Sequence, residues 1–376
     1  MIDPMSTAVE SPSQIARLDS LTALRWWAAF AVFLFHMRNM VTFPSWMHWL
    51  VDYGHYGVTF FFVLSGFVLT WSWRRETPVR AFYWRRFARI YPLHLLALII
   101  AIPVFYRVIP PPDQGWIKPL DWAVLLLSVL VIQGWWRSPG ILFSGNPAAW
   151  TLTVEAFFYA LHPVLIRVIR PLRRRGSLCM GAAVIAATLL IKLAAVLWPA
   201  SVFADLRQPV AHLPEFILGM LMAWAFRQGW RLRVPVIAPA LMLAAWLLVA
   251  TLVQRASGDT AAIVAFTPEM VGVLCALIIA AAATTELRGR SRFAVWRPLV
   301  VLGEWSFAFY LIHATIMYAL LEAIGPQFGS PWKTIGWSAL VLAAAVVAAW
   351  AMHRYFERPA EKRLRAWQDR RLARVS

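Results

Sequence analysis

The chain has 376 residues, 61% of them hydrophobic and 14% charged, with a formal net charge of +18. With a mean hydropathy of +0.62, this composition excludes a soluble domain of this length and fits a multi-pass membrane protein. The charge does not imply a nucleic-acid partner, because Lys and Arg cluster in short connections between apolar runs, as membrane topology requires.

Residues 1–17 hold one Arg against Asp3 and Glu10, and no small-residue cleavage site follows the next apolar run. That run reads as a retained first span and not as a signal peptide. A span needs about 20 apolar residues. The sequence predicts ten such helices, at 18–40, 55–73, 87–109, 149–169, 178–199, 209–227, 234–254, 262–284, 299–321 and 334–353. The run 120–136 is at the short edge of a span, and charge decides against its crossing. Without it, 27 of the 36 Lys and Arg fall on one side, in the N-terminal tail and in 74–89, 167–175, 227–233, 288–297 and 354–374. This asymmetry predicts both termini in the cytoplasm, and 110–148 as an outer segment with an interfacial or re-entrant helix.

The expected fold class is therefore all-α, a polytopic membrane bundle of about ten helices. It divides into a tail 1–17, a membrane domain 18–353 and a basic cytoplasmic tail 354–376. The 22 Trp lie mostly near run ends, as in an interfacial belt. Cys179 and Cys275 both fall in apolar runs and read as free, buried packing residues.

Ionisable residues inside spans are costly and usually face a polar cavity or pathway. Arg25 and His36 are eleven residues apart, so on a helix they share one stripe and differ in depth by about 16 Å. On the expected topology His36, Glu155, Glu215 and His313 all fall in outer halves of their helices and are expected to converge at one depth. A His beside carboxylates supplies a general base with a fixed tautomer. Each of these residues, taken singly, is as readily an interhelical hydrogen-bonded contact. His94 and His162 read as structural. Arg86 and Arg89 share a helix face and can grip a diphosphate with forked donors, against the plainer reading that they obey topology or bind lipid head groups. Arg74, Arg75, Arg173, Arg174, Arg175 and the basic C-terminal tail read as topology alone. Ser65-Gly66 places a small pair in a bulky helix, which permits close backbone approach.

Taken in order, these segments resemble the membrane acyltransferase-3 family, which O-acylates sugars and related acceptors. The likeness covers about residues 18–360. Arg25 through His36 is similar to the family's first-helix signature, and Gly57 through Phe67 to its second-helix block. Arg86-Phe87-Ala88-Arg89-Ile90-Tyr91-Pro92 resembles its paired-arginine motif, and Trp150-Thr151-Leu152-Thr153-Val154-Glu155 its Trp-Ser-Leu-x-x-Glu element. Leu213 through Gly219 and Ser306 through His313 resemble later blocks. Ser20-Leu21-Thr22-Ala23 departs from the Gly-Leu-Arg-Gly of many relatives. The form Leu18-Asp19-Ser20-Leu21-Thr22 with Arg25-Trp26-Trp27 is also similar to acyltransferases that decorate macrolide antibiotics.

The resemblance implies an acyl-CoA donor, acetyl-CoA or another short chain, and no permanently bound cofactor or metal. It implies that Arg86 and Arg89 take the donor's phosphates, with Arg25 deeper and the pantetheine arm threading toward His36. His36 would act as general base or form an acyl-imidazole, Glu155 would orient it, and Ser65 would help hold the thioester oxygen. Glu215 and His313 would support the site. The acceptor it implies is a carbohydrate hydroxyl, on a surface polysaccharide or lipid-linked glycan; the alternative is a macrolide or other secondary metabolite. A proton-coupled transporter is the rival class on the same intramembrane charges.

Overall fold

The computed structural model describes residues 17–112, 114–258, 262–289 and 295–372. Among them are ten helices long and apolar enough to cross a membrane. They are α1 (Asp19–Met37), α2 (Gly57–Trp71), α3 (Val79–Phe105), α4 (Trp150–Ile169) and α5 (Arg174–Leu197). The second five are α6 (Leu213–Arg227), α7 (Ile237–Ser257), α8 (Thr267–Leu287), α9 (Arg297–Ile324) and α10 (Pro331–Met352). Short preceding turns lengthen the second span to Ser45–Trp71 and the sixth to Gln208–Arg227. The chain is a multi-pass membrane protein with the all-α fold its composition predicts.

The ambiguous run 120–136 does not cross. It forms the helix Trp122–Val129 and a single turn Gln133–Trp135. Eight residues of helix rise only about 12 Å, too little for a bilayer core of about 30 Å. Asp121 caps the short helix by accepting from the N–H groups of Ala123 and Val124. The outer segment is fastened to the bundle at several points. His94 donates to the Ser128 carbonyl at 2.9 Å and the Gly134 N–H to the Thr153 hydroxyl at 3.2 Å, while within the segment the Ser128 and Ser144 hydroxyls meet at 2.6 Å. Lys118 donates to the Phe143 carbonyl, and burial there pulls its pKa down to about 8. His162 is stacked on Phe82 and lies 3.4 Å from the Thr70 hydroxyl.

The centre of the bundle is α1, α2, α6, α8 and α9, whereas α5 lies almost wholly at the periphery. α1 and α9 run side by side in parallel, with Trp26 against Phe309 and Phe33 against both Phe309 and His313. The start of α1 is fixed by Glu286, whose carboxylate accepts from the backbone N–H groups of Asp19 and Ser20 at 2.7 and 2.9 Å. These are helix-end donors that would otherwise lack partners. Both cysteines are free, as expected; the expected burial holds for Cys275, in α8, and fails for Cys179. Cys179 sits on α5, which turns most of its side chains outward to where lipid would lie.

α2 and α6 also run in parallel and approach closely enough for backbone to touch backbone. A Cβ on Gly66 would collide with the Phe216 carbonyl oxygen, and one on Gly219 with that of Val63. Small residues at helix crossings allow this approach in membranes, where burial of apolar surface gives little drive to associate. Gly66→Ala and Gly219→Ala are each expected to destabilise the fold by about 1–3 kcal/mol, as overpacking does. Gly336→Ala in α10, where a Cβ meets nothing within 4 Å, serves as the control. Thermal unfolding in one detergent checks this, and equal tolerance of all three substitutions would contradict it.

Candidate active site

α1 is an unbroken helix from Asp19 to Met37, so Arg25 and His36 keep the spacing read from the sequence. A cavity of about 320 Å³ runs along α2 from Val58 to Leu69. Eleven residues of helix give it a length of roughly 16 Å. At one end stand Arg86 and Arg89, from the first turns of α3, and Arg365, from the C-terminal helix. Arg25, Ser65, Glu155 and Tyr159 line its middle, and Thr151 and Tyr310 line its far end.

The polar groups of the middle are linked. The Tyr159 hydroxyl donates to Glu155 Oε1 at 2.6 Å, and Ser65 lies within hydrogen-bonding reach of Tyr159. The Arg86 guanidinium lies 5.9 Å from the centre of the Tyr159 ring. Arg25 donates no hydrogen bond to any described residue, and Glu155 and Glu357 reach it through electrostatics alone. Arg89 is better matched, 3.4 Å from Glu361 and 3.9 Å from Glu357.

His36 is elsewhere. Its ring is 5.3 Å from that of His313, near the C-terminal end of α1 and the middle of α9, and hydrogen-bonds to no described residue. His313 is fully buried, and its Nδ1–H points at the carbonyls of Tyr310 (2.8 Å) and Phe309 (3.2 Å). That fixes the tautomer and leaves Nε2 as a buried lone pair with no partner among the described residues. Arg38, paired with Asp52 at 2.9 Å, and His55, bonded to the Asp52 carbonyl, stand beside His36.

The expected convergence of four ionisable groups at one depth is therefore not what the structure contains. His36 and His313 do meet. Glu155 instead sits with Arg25 and Tyr159, and Glu215 pairs with His212 at 2.8 Å outside the cavity lining. The physical reason is the start of α4. The segment before it is buried in the bundle, where Asn146 donates to the Leu311 carbonyl at 2.6 Å and Thr151 lies 3.2 Å from the Tyr310 hydroxyl. The helix thus begins at the depth of Tyr310 and not at the bilayer surface, which puts Glu155 roughly 10 Å inward of His313.

Tyr310 stands between the two levels. It lines the cavity on one side, and its ring is 6.0 Å from that of His313 on the other. Sequence reasoning did not single out Tyr159, Tyr310 or Arg365. The i,i+4 spacing of Glu155 and Tyr159 on one helix was a usable signal for the first; nothing in the sequence marked the other two.

A polytopic bundle enclosing hydroxyl, carboxyl and guanidinium groups around one cavity is the architecture of an integral membrane enzyme. The chain belongs to the acyltransferase-3 family, whose acyltransferase domain matches residues 18–354. It is a membrane O-acyltransferase, and the transporter reading gives way to that membership. Relatives include the acyltransferase MdmB of Streptomyces mycarofaciens, 34% identical over 372 residues that cover 93% of this chain and 92% of that protein. Nodulation protein 10 of Rhizobium leguminosarum bv. viciae is 26% identical over 188 residues, 44% of this chain and 48% of that one. The peptidoglycan O-acetyltransferase OatA of Listeria monocytogenes is 28% identical over 172 residues, 42% of this chain and 25% of its own. No solved structure matches the chain.

The hydroxyl–carboxylate link predicts coupling between its members. Tyr159→Phe removes the 2.6 Å donor of Glu155 and is expected to cost about 1–3 kcal/mol, the penalty for an abandoned buried acceptor. In a double-mutant cycle with Glu155→Met, the paired loss should be smaller than the sum of the single losses. Unfolding in detergent measures this, and simple additivity would refute the link.

Proposed function

We propose that this enzyme moves a short acyl group, acetyl or similar, from acyl-CoA to a hydroxyl of a carbohydrate acceptor. The single observation that carries the reading is the cavity, which joins a cluster of arginines to a point one helical turn below a free imidazole. Its far end is lined by Tyr310, three residues before His313, whose ring lies 5.3 Å from that of His36. A channel of roughly 16 Å suits the extended pantetheine arm, with the phosphates at Arg86 and Arg89 and with Arg25 deeper. A volume of about 320 Å³ is within the usual range of ligand pockets, about 300–1,000 Å³.

In this reading the acceptor approaches from the outer side and its hydroxyl meets His36. The hydroxyl oxygen bonds to the thioester carbon while its proton passes to the imidazole. The C–S bond then breaks, and the thiolate leaves with that proton as free CoA. His313 supports His36 from behind. Glu155, Tyr159 and Ser65 line the path of the arm and fix its polar groups. Glu155 orients the donor and not His36, a change from the role the family resemblance implied for it. Both termini are cytoplasmic, a placement supported by the Lys and Arg asymmetry. A glycosylated secondary metabolite such as a macrolide is the second acceptor reading, supported by the first-helix likeness at Leu18 through Trp27.

Purified protein in nanodiscs, given a panel of short-chain acyl-CoAs and glycan extracts, tests the reading. Wild type should transfer one acyl group, and a folded His36→Ala should be slower by at least about 100-fold, the usual worth of a general base. Failure to use any acyl-CoA would remove the donor assignment. Equal rates in wild type and His36→Ala would remove His36 from the reaction.

A further inference from the structure

The basic segment after the last span is not a loose tail. α10 passes through a wide turn, His353–Glu357, into a helix from Arg358 to Leu372. That helix continues the line of α10 and packs along the first turns of α3. Trp84 Nε1 donates to the Leu364 carbonyl at 2.8 Å, the Trp84 and Trp367 rings lie 4.9 Å apart, and Gln368 reaches the Arg80 carbonyl. Glu361, Leu364, Arg365 and Gln368 recur at the spacing of one helix face. Lys362, Arg363 and Arg370 on other faces are exposed. The family match ends at Arg354, before this helix begins.

The docking carries Arg365 into the cavity lining beside Arg86 and Arg89. The charges there do not balance. Glu361 is shared between Arg89 and Arg365, and Glu357 is held by His353 at 2.8 Å as well as facing Arg89. Arg86 has no carboxylate partner among the described residues. The Nε atoms of both Arg86 and Arg365 are buried and make no hydrogen bond to any described residue. Buried donors without acceptors are costly, and a phosphate offers several acceptor oxygens in the geometry a guanidinium fork matches.

We propose that Arg365, delivered by the docked C-terminal helix, is a third cationic ligand for the donor's phosphate groups, alongside Arg86 and Arg89. The proposal rests on the acyl-CoA reading above. It makes the C-terminal helix one wall of the donor site, so the segment selects for the nucleotide end of the donor and takes no part in the chemistry. A lipid phosphate presents the same chemistry, and the test separates the two sources.

The experiment compares full-length wild type, Arg365→Ala, Arg365→Lys and the exposed control Lys362→Ala in nanodiscs. Acetyl-CoA and acetyl-pantetheine, which has no phosphate, are the donors, and adenosine 3′,5′-bisphosphate is the binding probe. Arg365→Ala should raise KM for acetyl-CoA by about tenfold and weaken bisphosphate binding to match. Its kcat, and KM for acetyl-pantetheine, should stay at wild-type values. Arg365→Lys should recover part of the loss, and Lys362→Ala should change nothing. An unchanged KM for acetyl-CoA overturns the proposal. So does an equal loss with both donors, which would make the helix a structural brace. An effect seen only in nanodiscs containing phosphatidylglycerol would assign the site to lipid and overturn it as well. If wild type uses no acyl-CoA, the donor reading fails by itself; bisphosphate binding that depends on Arg365 would then uphold the phosphate site, and no binding would end it.

Discussion

The backbone contact between α2 and α6 is the constraint on which the site depends. α2 forms one wall of the cavity over its whole length, with Val58, Ser65 and Leu69 facing in. Gly66, the next residue after Ser65, lies against α6 at the Phe216 carbonyl. The helix is therefore held on one side by a contact that no side chain can occupy, while the adjacent side stays open. In lipid, where apolar burial between helices counts for little, this kind of fit is what keeps two spans in register. If α2 moved outward by the width of a methyl group, Ser65 would separate from Tyr159, leaving the Tyr159–Glu155 link within α4 without its neighbour on α2.

The site has two levels with different chemistry. The inner level is cationic and polar, built from Arg25, Arg86, Arg89, Arg365, Glu155, Tyr159 and Ser65. The outer level is a pair of imidazoles, one of them with its tautomer fixed by backbone carbonyls. Tyr310 is the partition, and its hydroxyl donates to the Ala148 carbonyl at 3.2 Å. The proposed transfer from acyl-CoA would use such a division, with each substrate approaching from its own level and only the acyl group passing between them.

Much of this was legible in the sequence because helical spacing and charge carry it. The eleven-residue interval fixed Arg25 and His36 on one stripe before any fold was known, and α1 is unbroken across it. Charge asymmetry resolved 120–136, where length alone did not. What was not legible came from depth and from docking. The sequence places Glu155 one level too far along the bundle, because the start of α4 reads as the membrane surface although Ser144, Asn146, Ala148 and Ala149 before it are already buried. Arg365 was hidden because a basic tail after the last span satisfies topology by itself. Only the packing of Trp367 against Trp84 and the place of Arg365 in the lining show that this helix reaches the cavity.

The central claim is that the donor lies along α2, with its phosphates at the arginines and its thioester at Tyr310. An experimental structure of the enzyme with a non-hydrolysable acetyl-CoA analogue would test it most directly. The account predicts continuous ligand density from Arg86, Arg89 and Arg365 past Ser65 and Tyr159, ending beside Tyr310 and below His36. Density confined to the surface, or entering from the side of His36, would contradict it.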